Sequence, residues 1–128
     1  MRSTRVQMDV PEIYITIDVE WACREAVTDT LRLLDDRGLR ATFFCTHPGI
    51  EVPGHERALH PNFRRQGDTV RAFRNPSLAE IAEPPDQDIY RHVVETTKSF
   101  CPEAIGVRAH SLFYDFEILR LYRDAGLQ

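Results

Sequence analysis

The feature that most constrains this chain is an alternation of short, apolar, β-branched runs with stretches patterned for helices. Residues 13–21, IYITIDVEW, read as a buried strand that ends, unusually, in two carboxylates and a tryptophan. Val27, Leu31 and Leu34 then fall at helical spacing, with Thr28 or Asp29 near the start and Gly38 placed to stop the helix. Residues 39–46, LRATFFCT, are apolar almost throughout, which suits a parallel strand covered on both faces. Residues 55–60, HERALH, form a short third strand between Pro53-Gly54 and Pro61-Asn62.

The stretch 64–85 has little periodicity, apart from a short helix expected in PSLAEIAE, and reads as a variable loop region. Ile89, Val93, Thr97 and Phe100 mark a helix over 86–100 that ends before Pro102. Residues 104–110, AIGVRAH, are a fourth strand. Residues 115–125 are a fourth helix, with Ile118, Tyr122 and Ala125 on one face and Gly126 as its stop.

Strands alternating with helices predict an α/β fold of βαβ units around a parallel sheet, open or closed into a barrel. In either form loops converge at the carboxyl ends of the strands, where a rigid sheet supports the chemistry. Asp18 and Glu20 finish strand one, His60 finishes strand three, and Arg108 with His110 finishes strand four. Carboxylates and imidazoles meeting there suit a divalent metal, with one carboxylate left to act as a base on water. Asp18 and Glu20 share a face by strand parity. The same parity separates His55 from His60, so a regular third strand does not offer both to one metal.

Composition narrows the partners. At 128 residues, 42% hydrophobic and 28% charged, the chain can bury a real core, and one domain over 1–128 is expected, with 1–12 as a flexible arm. A net charge of −4 gives no electrostatic reason to expect nucleic acid or an anionic membrane as partner. The odd count of three cysteines, Cys23, Cys45 and Cys101, at motif-free spacing indicates buried thiols in a reducing compartment, neither a disulfide framework nor a CxxC metal site. No signal-peptide pattern or membrane-length apolar run is present, and a cytoplasmic location is expected.

TIDVEW, RGLRATFF, GHERALHPNF and GVRAHS stand in the order and spacing of the polysaccharide deacetylases, the chitin-deacetylase-like carbohydrate esterases. The resemblance runs from about Tyr14 to Leu127, and four motifs in order make it specific. It implies a distorted (β/α) barrel and metal-dependent hydrolysis of N-acetyl or related groups on sugars, with a carbohydrate substrate and zinc as the first choice of divalent metal. Asp18 matches the first Asp of the TFDD motif and is implied to be the general base, and Arg108 resembles the arginine that orients it. The second Asp, a metal ligand, falls on Val19, but variants spaced Asp-x-Asp put Glu20 in the ligand role. His60 resembles the first histidine of the HTxxH motif.

The sequence departs from that pattern at three points. Arg64 stands where the second ligand histidine belongs, and His110 stands where RAHS would ordinarily have proline. Either His110 or His55 completes the site from another strand, or the site no longer holds metal tightly. The family's domain continues through more strands to a late histidine that protonates the leaving amine, whereas this chain stops at LYRDAGLQ. The expectation is therefore a C-terminally incomplete domain, with an oligomer as one way to cover the open sheet edge.

Other readings stay open on the sequence. Asp18 and Glu20 also fit a solvated strand end, Arg108 could pair with Glu103, and Cys45 with His47 could make a thiol and base. Trp21 is either core cover or a sugar-stacking platform. Beside the deacetylase stand two alternatives, a truncated, inactive fragment acting as a binding module and a related C–N hydrolase acting on a ureide.

Overall fold

The computed structural model describes residues 12–63 and 89–128. Three strands, β1 (Thr16–Glu20), β2 (Thr42–Cys45) and β3 (Glu56–Leu59), form a parallel sheet in the order β1-β2-β3. Helix α1 (Arg24–Asp35) makes the crossover from β1 to β2. It begins earlier than the Thr28 or Asp29 start that the sequence suggests. Its last turn closes through Leu39 N–H to the Leu34 carbonyl, with Gly38 at φ 63, a left-handed backbone that glycine adopts without strain. Helices α2 (Ile89–Phe100) and α3 (Phe116–Asp124) follow and pack against each other. Asp115 caps α3 by accepting a hydrogen bond from Ile118 N–H at 2.9 Å.

The expected fourth strand over 104–110 is much reduced. It keeps one ladder pairing, Leu59 with Val107, and three parallel-type hydrogen bonds, Leu59 N–H to the Gly106 carbonyl, Arg108 N–H to the Leu59 carbonyl and His110 N–H to the Pro61 carbonyl. Its far edge bonds Gln128, whose N–H donates to Ile105 and whose carbonyl accepts from Val107. A 3-10 turn at His110–Leu112 then ends the extended backbone. Among the described residues the sheet is open and closes no barrel. The PSLAEIAE helix, Arg64 and the 1–11 part of the expected arm lie outside the described residues. So does the 86–88 start of the helix expected over 86–100.

Period-two alternation divides the sheet into two faces. Val19, Phe43, Cys45 and Leu59 bury one face against Val27 and Leu34 of α1, Val93 and Val94 of α2, and Ile118 and Leu121 of α3 in one continuous core. The other face carries Thr16, Asp18, Thr42, Phe44, Glu56 and Ala58 in register across the strands. Among the described residues, no helix is long and apolar enough to cross a membrane.

The thiols divide differently from expectation. Cys45 and Cys101 are buried, but Cys23 is exposed at the N-terminal boundary of α1, where it has no core position to fill. All three are free.

Candidate functional site

The site begins with an irregularity in β1. Asp18 pairs with Phe44 but Glu20 pairs with Cys45, so Val19 is an extra residue and the strand bulges between the two acids. A bulge bends the strand and re-aims the next side chain. Glu20 completes the turn in the left-handed region at φ 51, a conformation that costs a non-glycine residue about 1–3 kcal/mol unless its surroundings hold it. The two acids therefore reach the same imidazole by a route that simple strand parity does not describe.

That imidazole is His60, buried at the carboxyl end of β3. Its Nδ1 lies 2.6 Å from the Arg108 backbone carbonyl and 3.7 Å from Asp18 Oδ1, and its Nε2 lies 3.3 Å from Glu20 Oε1. A carbonyl only accepts, so Nδ1 carries the proton and donates it to Arg108. In the neutral ring this leaves a lone pair on Nε2 facing a carboxylate oxygen. Such a contact is repulsive unless a proton or a cation stands between the two atoms.

His110 approaches the same oxygen from the 3-10 turn, with Nδ1 3.1 Å from Glu20 Oε1. Its ring meets His60 edge-on at 5.6 Å between centroids and Trp21 edge-on at 5.5 Å. Glu20, His60 and His110 each offer a ligand atom, and these atoms lie within 4.8 Å of one another. Four donors arranged tetrahedrally about a zinc ion at 2.0–2.1 Å stand about 3.3 Å apart, close to the 3.3 and 3.1 Å measured from Glu20 Oε1. Glu20 Oε2 is buried without a hydrogen-bond partner among the described residues. Two imidazoles, one carboxylate and an unsatisfied carboxylate oxygen fit a borderline divalent cation.

Arg108 serves the site from both ends. Its guanidinium bonds Asp18 through Nε to Oδ1 at 3.0 Å and through Nη2 to the same oxygen, and Nη1 donates to Thr16 Oγ1 at 3.2 Å. The guanidinium carbon lies 4.0 Å above the Phe44 ring, a cation–π contact. Glu103, the other acid considered for Arg108, is paired with Arg57 instead, through Nε to Oε1 at 2.7 Å.

The structure separates the other candidates. His55 sits at the opposite end of the sheet, where Nδ1 accepts from Ala41 N–H at 3.2 Å and Nε2 lies 3.2 Å from Asp35 Oδ1, so it contributes nothing to the Glu20 cluster. Cys45 and His47 do not meet. The buried Cys45 thiol bonds the Phe43 carbonyl, and its pKa is pushed up by a hydrogen bond with Cys101 and by burial, while His47 turns to the Pro48 carbonyl. Trp21 combines core contact with its packing on His110, so its ring braces that imidazole.

Sequence reasoning missed Thr16, Phe44, Phe63 and Phe113. Thr16 and Phe44 surround the Arg108 guanidinium; the i, i+2 relation of Thr16 to Asp18 is the signal that was available. Phe63 and Phe113 stand three residues after His60 and His110, with ring centroids 6.1 Å apart, and join Tyr90 and Tyr122 in one aromatic cluster. Both histidine-bearing segments are thereby pinned to α2 and α3.

Residues 15–128 match the family described as WbmS-like polysaccharide deacetylase. Comparison with curated proteins gives no significant match. Among solved structures the chain is similar to a Bordetella bronchiseptica protein, WbmS, assigned to the polysaccharide deacetylases and to O-antigen biosynthesis. The two share 27% identity at a TM-score of 0.67, over 90% of this chain and 44% of that one. The chain thus spans less than half the length of that structure. With the family match covering nearly all of its length, the chain belongs to the polysaccharide deacetylase family.

Proposed function

We propose that this chain carries the metal-binding and base-bearing part of a hydrolase that removes N-acetyl or related acyl groups from an amino sugar or a polysaccharide precursor. The observation that carries the reading is the His60 Nε2 lone pair aimed at Glu20 Oε1, 3.3 Å away, with His110 Nδ1 3.1 Å from the same oxygen. In this reading the parallel sheet is one part of a distorted (β/α) barrel, and the cluster stands on its carboxyl rim.

Glu20, His60 and His110 would hold the cation, zinc first by donor type. A divalent cation there supplies Lewis acidity toward an acyl carbonyl and toward water. Asp18 takes the proton from the attacking water. Its carboxylate is 38% exposed, so water reaches it, and Arg108 fixes its orientation by charge-assisted hydrogen bonds. Water oxygen bonds to the acyl carbon, the carbon–nitrogen bond breaks as the nitrogen takes up the proton drawn from the water, and a carboxylic acid and a free amine leave. Trp21, beside His110, offers an aromatic flank to the sugar.

Acetate release from N-acetylated amino sugars and sugar nucleotides, measured with chelator and with zinc added back, tests this reading. Release is expected to need the metal and to fall about 10²–10⁴-fold in Asp18→Asn. Release that is indifferent to chelator and to Asp18→Asn contradicts it. A folded chain that binds zinc yet releases nothing from any acylated sugar favours the binding-module reading.

A further inference from the structure

Gly106 is a glycine without a backbone reason. Among the described residues the glycines with positive φ are Gly38, Gly49, Gly54 and Gly126, and Gly106 is not one of them, so its conformation does not require a glycine. What sets it apart is space. A Cβ at 106 would lie 3.3 Å from the Cβ of Ala58, inside the ordinary carbon contact distance of about 3.5–4.0 Å. Ala58 is itself fully buried, so on the β3 side the methyl has no open space to move into.

The position of this contact gives it a role. Leu59 pairs with Val107, so Ala58 faces Gly106 one step before the pair and His60 faces Arg108 one step after it. The backbone bonds Leu59 N–H to Gly106 O and Arg108 N–H to Leu59 O, both 2.9 Å, span the same interval. Spreading the two segments at Ala58 and Gly106 therefore strains these two bonds and, one step along, the 2.6 Å bond from His60 Nδ1 to the Arg108 carbonyl. That bond decides which His60 nitrogen keeps its lone pair for the Glu20 cluster.

We infer that Ala58 and Gly106 are a positioning pair for His60: the missing side chain at 106 lets the 104–110 segment approach β3 closely enough for the Arg108 carbonyl to fix the His60 tautomer. The pair touches no reacting atom and acts through His60. The inference rests on the metal-site reading for its affinity consequence, and its effect on the tautomer stands apart from that reading.

Nitrogen-15 NMR of the His60 ring in the metal-free chain is the direct test. The wild type is expected to show Nδ1 protonated throughout, and Gly106→Ala a second population of rings without the Nδ1 proton. The double variant Ala58→Gly with Gly106→Ala moves the methyl to the other strand and should restore the wild-type signature. Zinc dissociation constants should follow, weakened about tenfold in Gly106→Ala and returned to within about twofold in the double variant. If Gly106→Ala does not fold, Ala58→Ser adds one atom to the same contact from the other side and should give the same mixture. Overpacking without positioning would lower the melting temperature while leaving tautomer and zinc affinity unchanged, and that outcome overturns the inference. So does a double variant that recovers its melting temperature but not its tautomer. A wild type that binds no zinc defeats the metal reading alone, since the tautomer comparison still decides the pair's role.

Discussion

Arg108 holds His60 by its backbone, carbonyl to Nδ1 at 2.6 Å, while its guanidinium holds Asp18, Nε to Oδ1 at 3.0 Å. One residue thus orients both a metal-ligand candidate and a base candidate, through chemically separate groups that substitution can separate.

Arg108→Lys keeps the carbonyl and the positive charge but loses the planar fork and its stacking on Phe44. Zinc affinity, read by calorimetry, is expected to stay close to wild type. Acetate release is expected to fall about a hundredfold, the lower end of what a misoriented general base costs. An equal loss in both quantities would show that the two roles are not separate.

The three thiols should differ sharply in reactivity. Cys23 is exposed, whereas Cys45 and Cys101 are buried, and burial together with its bond to Cys101 pushes the Cys45 pKa up. Titration with an aromatic disulfide reagent should find one fast thiol in the native chain and the other two only after unfolding. Fast reaction of a second thiol would contradict the packing around β2.

Asp115→Ala removes the side-chain acceptor at the start of α3. A stability loss of about 1 kcal/mol in urea unfolding is expected, the ordinary value of such a cap. Because Ile118 in the first turn is fully buried, Ile118→Ala should cost more, about 2–5 kcal/mol from the lost methyl groups and the cavity left behind.

Glu103 has its carboxyl pKa held below the usual range by its own backbone N–H and by Arg57. A depressed carboxylate contributes stability above its unfolded-state pKa and loses it as pH falls through the folded value. The melting-temperature gap between wild type and Glu103→Gln should therefore be present at neutral pH and close on acidification below the ordinary carboxylate range. The side chain is 55% exposed, so the gap is small, on the order of 1 kcal/mol or less.

Much of the architecture was legible because apolar periodicity is dictated by the buried face of each element. Phe43 and Cys45 in β2, Val27 and Leu34 in α1, and Ile118 and Tyr122 in α3 are all core residues of the kind such patterns reveal. The convergence of Asp18, Glu20, His60, Arg108 and His110 followed from strand order and carboxyl-end logic. The bulge at Val19 was not legible, since register depends on the pairing of β1 with β2 and no local residue type marks it. The shrinking of the fourth strand was not legible either, because AIGVRAH has ordinary strand propensity, and the 3-10 turn at His110 leads into Phe113, which packs on Phe63 far along the chain. His55 shows the converse: a histidine beside the family motif is spent on joining α1 to the strand ends.

Whether Glu20, His60 and His110 form one metal site is decided by zinc titration in the calorimeter, wild type beside His110→Ala. His110 is the informative variant because it is the proposed ligand that the family pattern does not supply. The wild-type chain is predicted to bind one zinc per chain, and His110→Ala to weaken binding by more than the roughly 10–100-fold that loss of an outer-shell partner costs. No binding by a folded wild-type chain, or binding unchanged in His110→Ala, would show that these three residues do not hold a metal together.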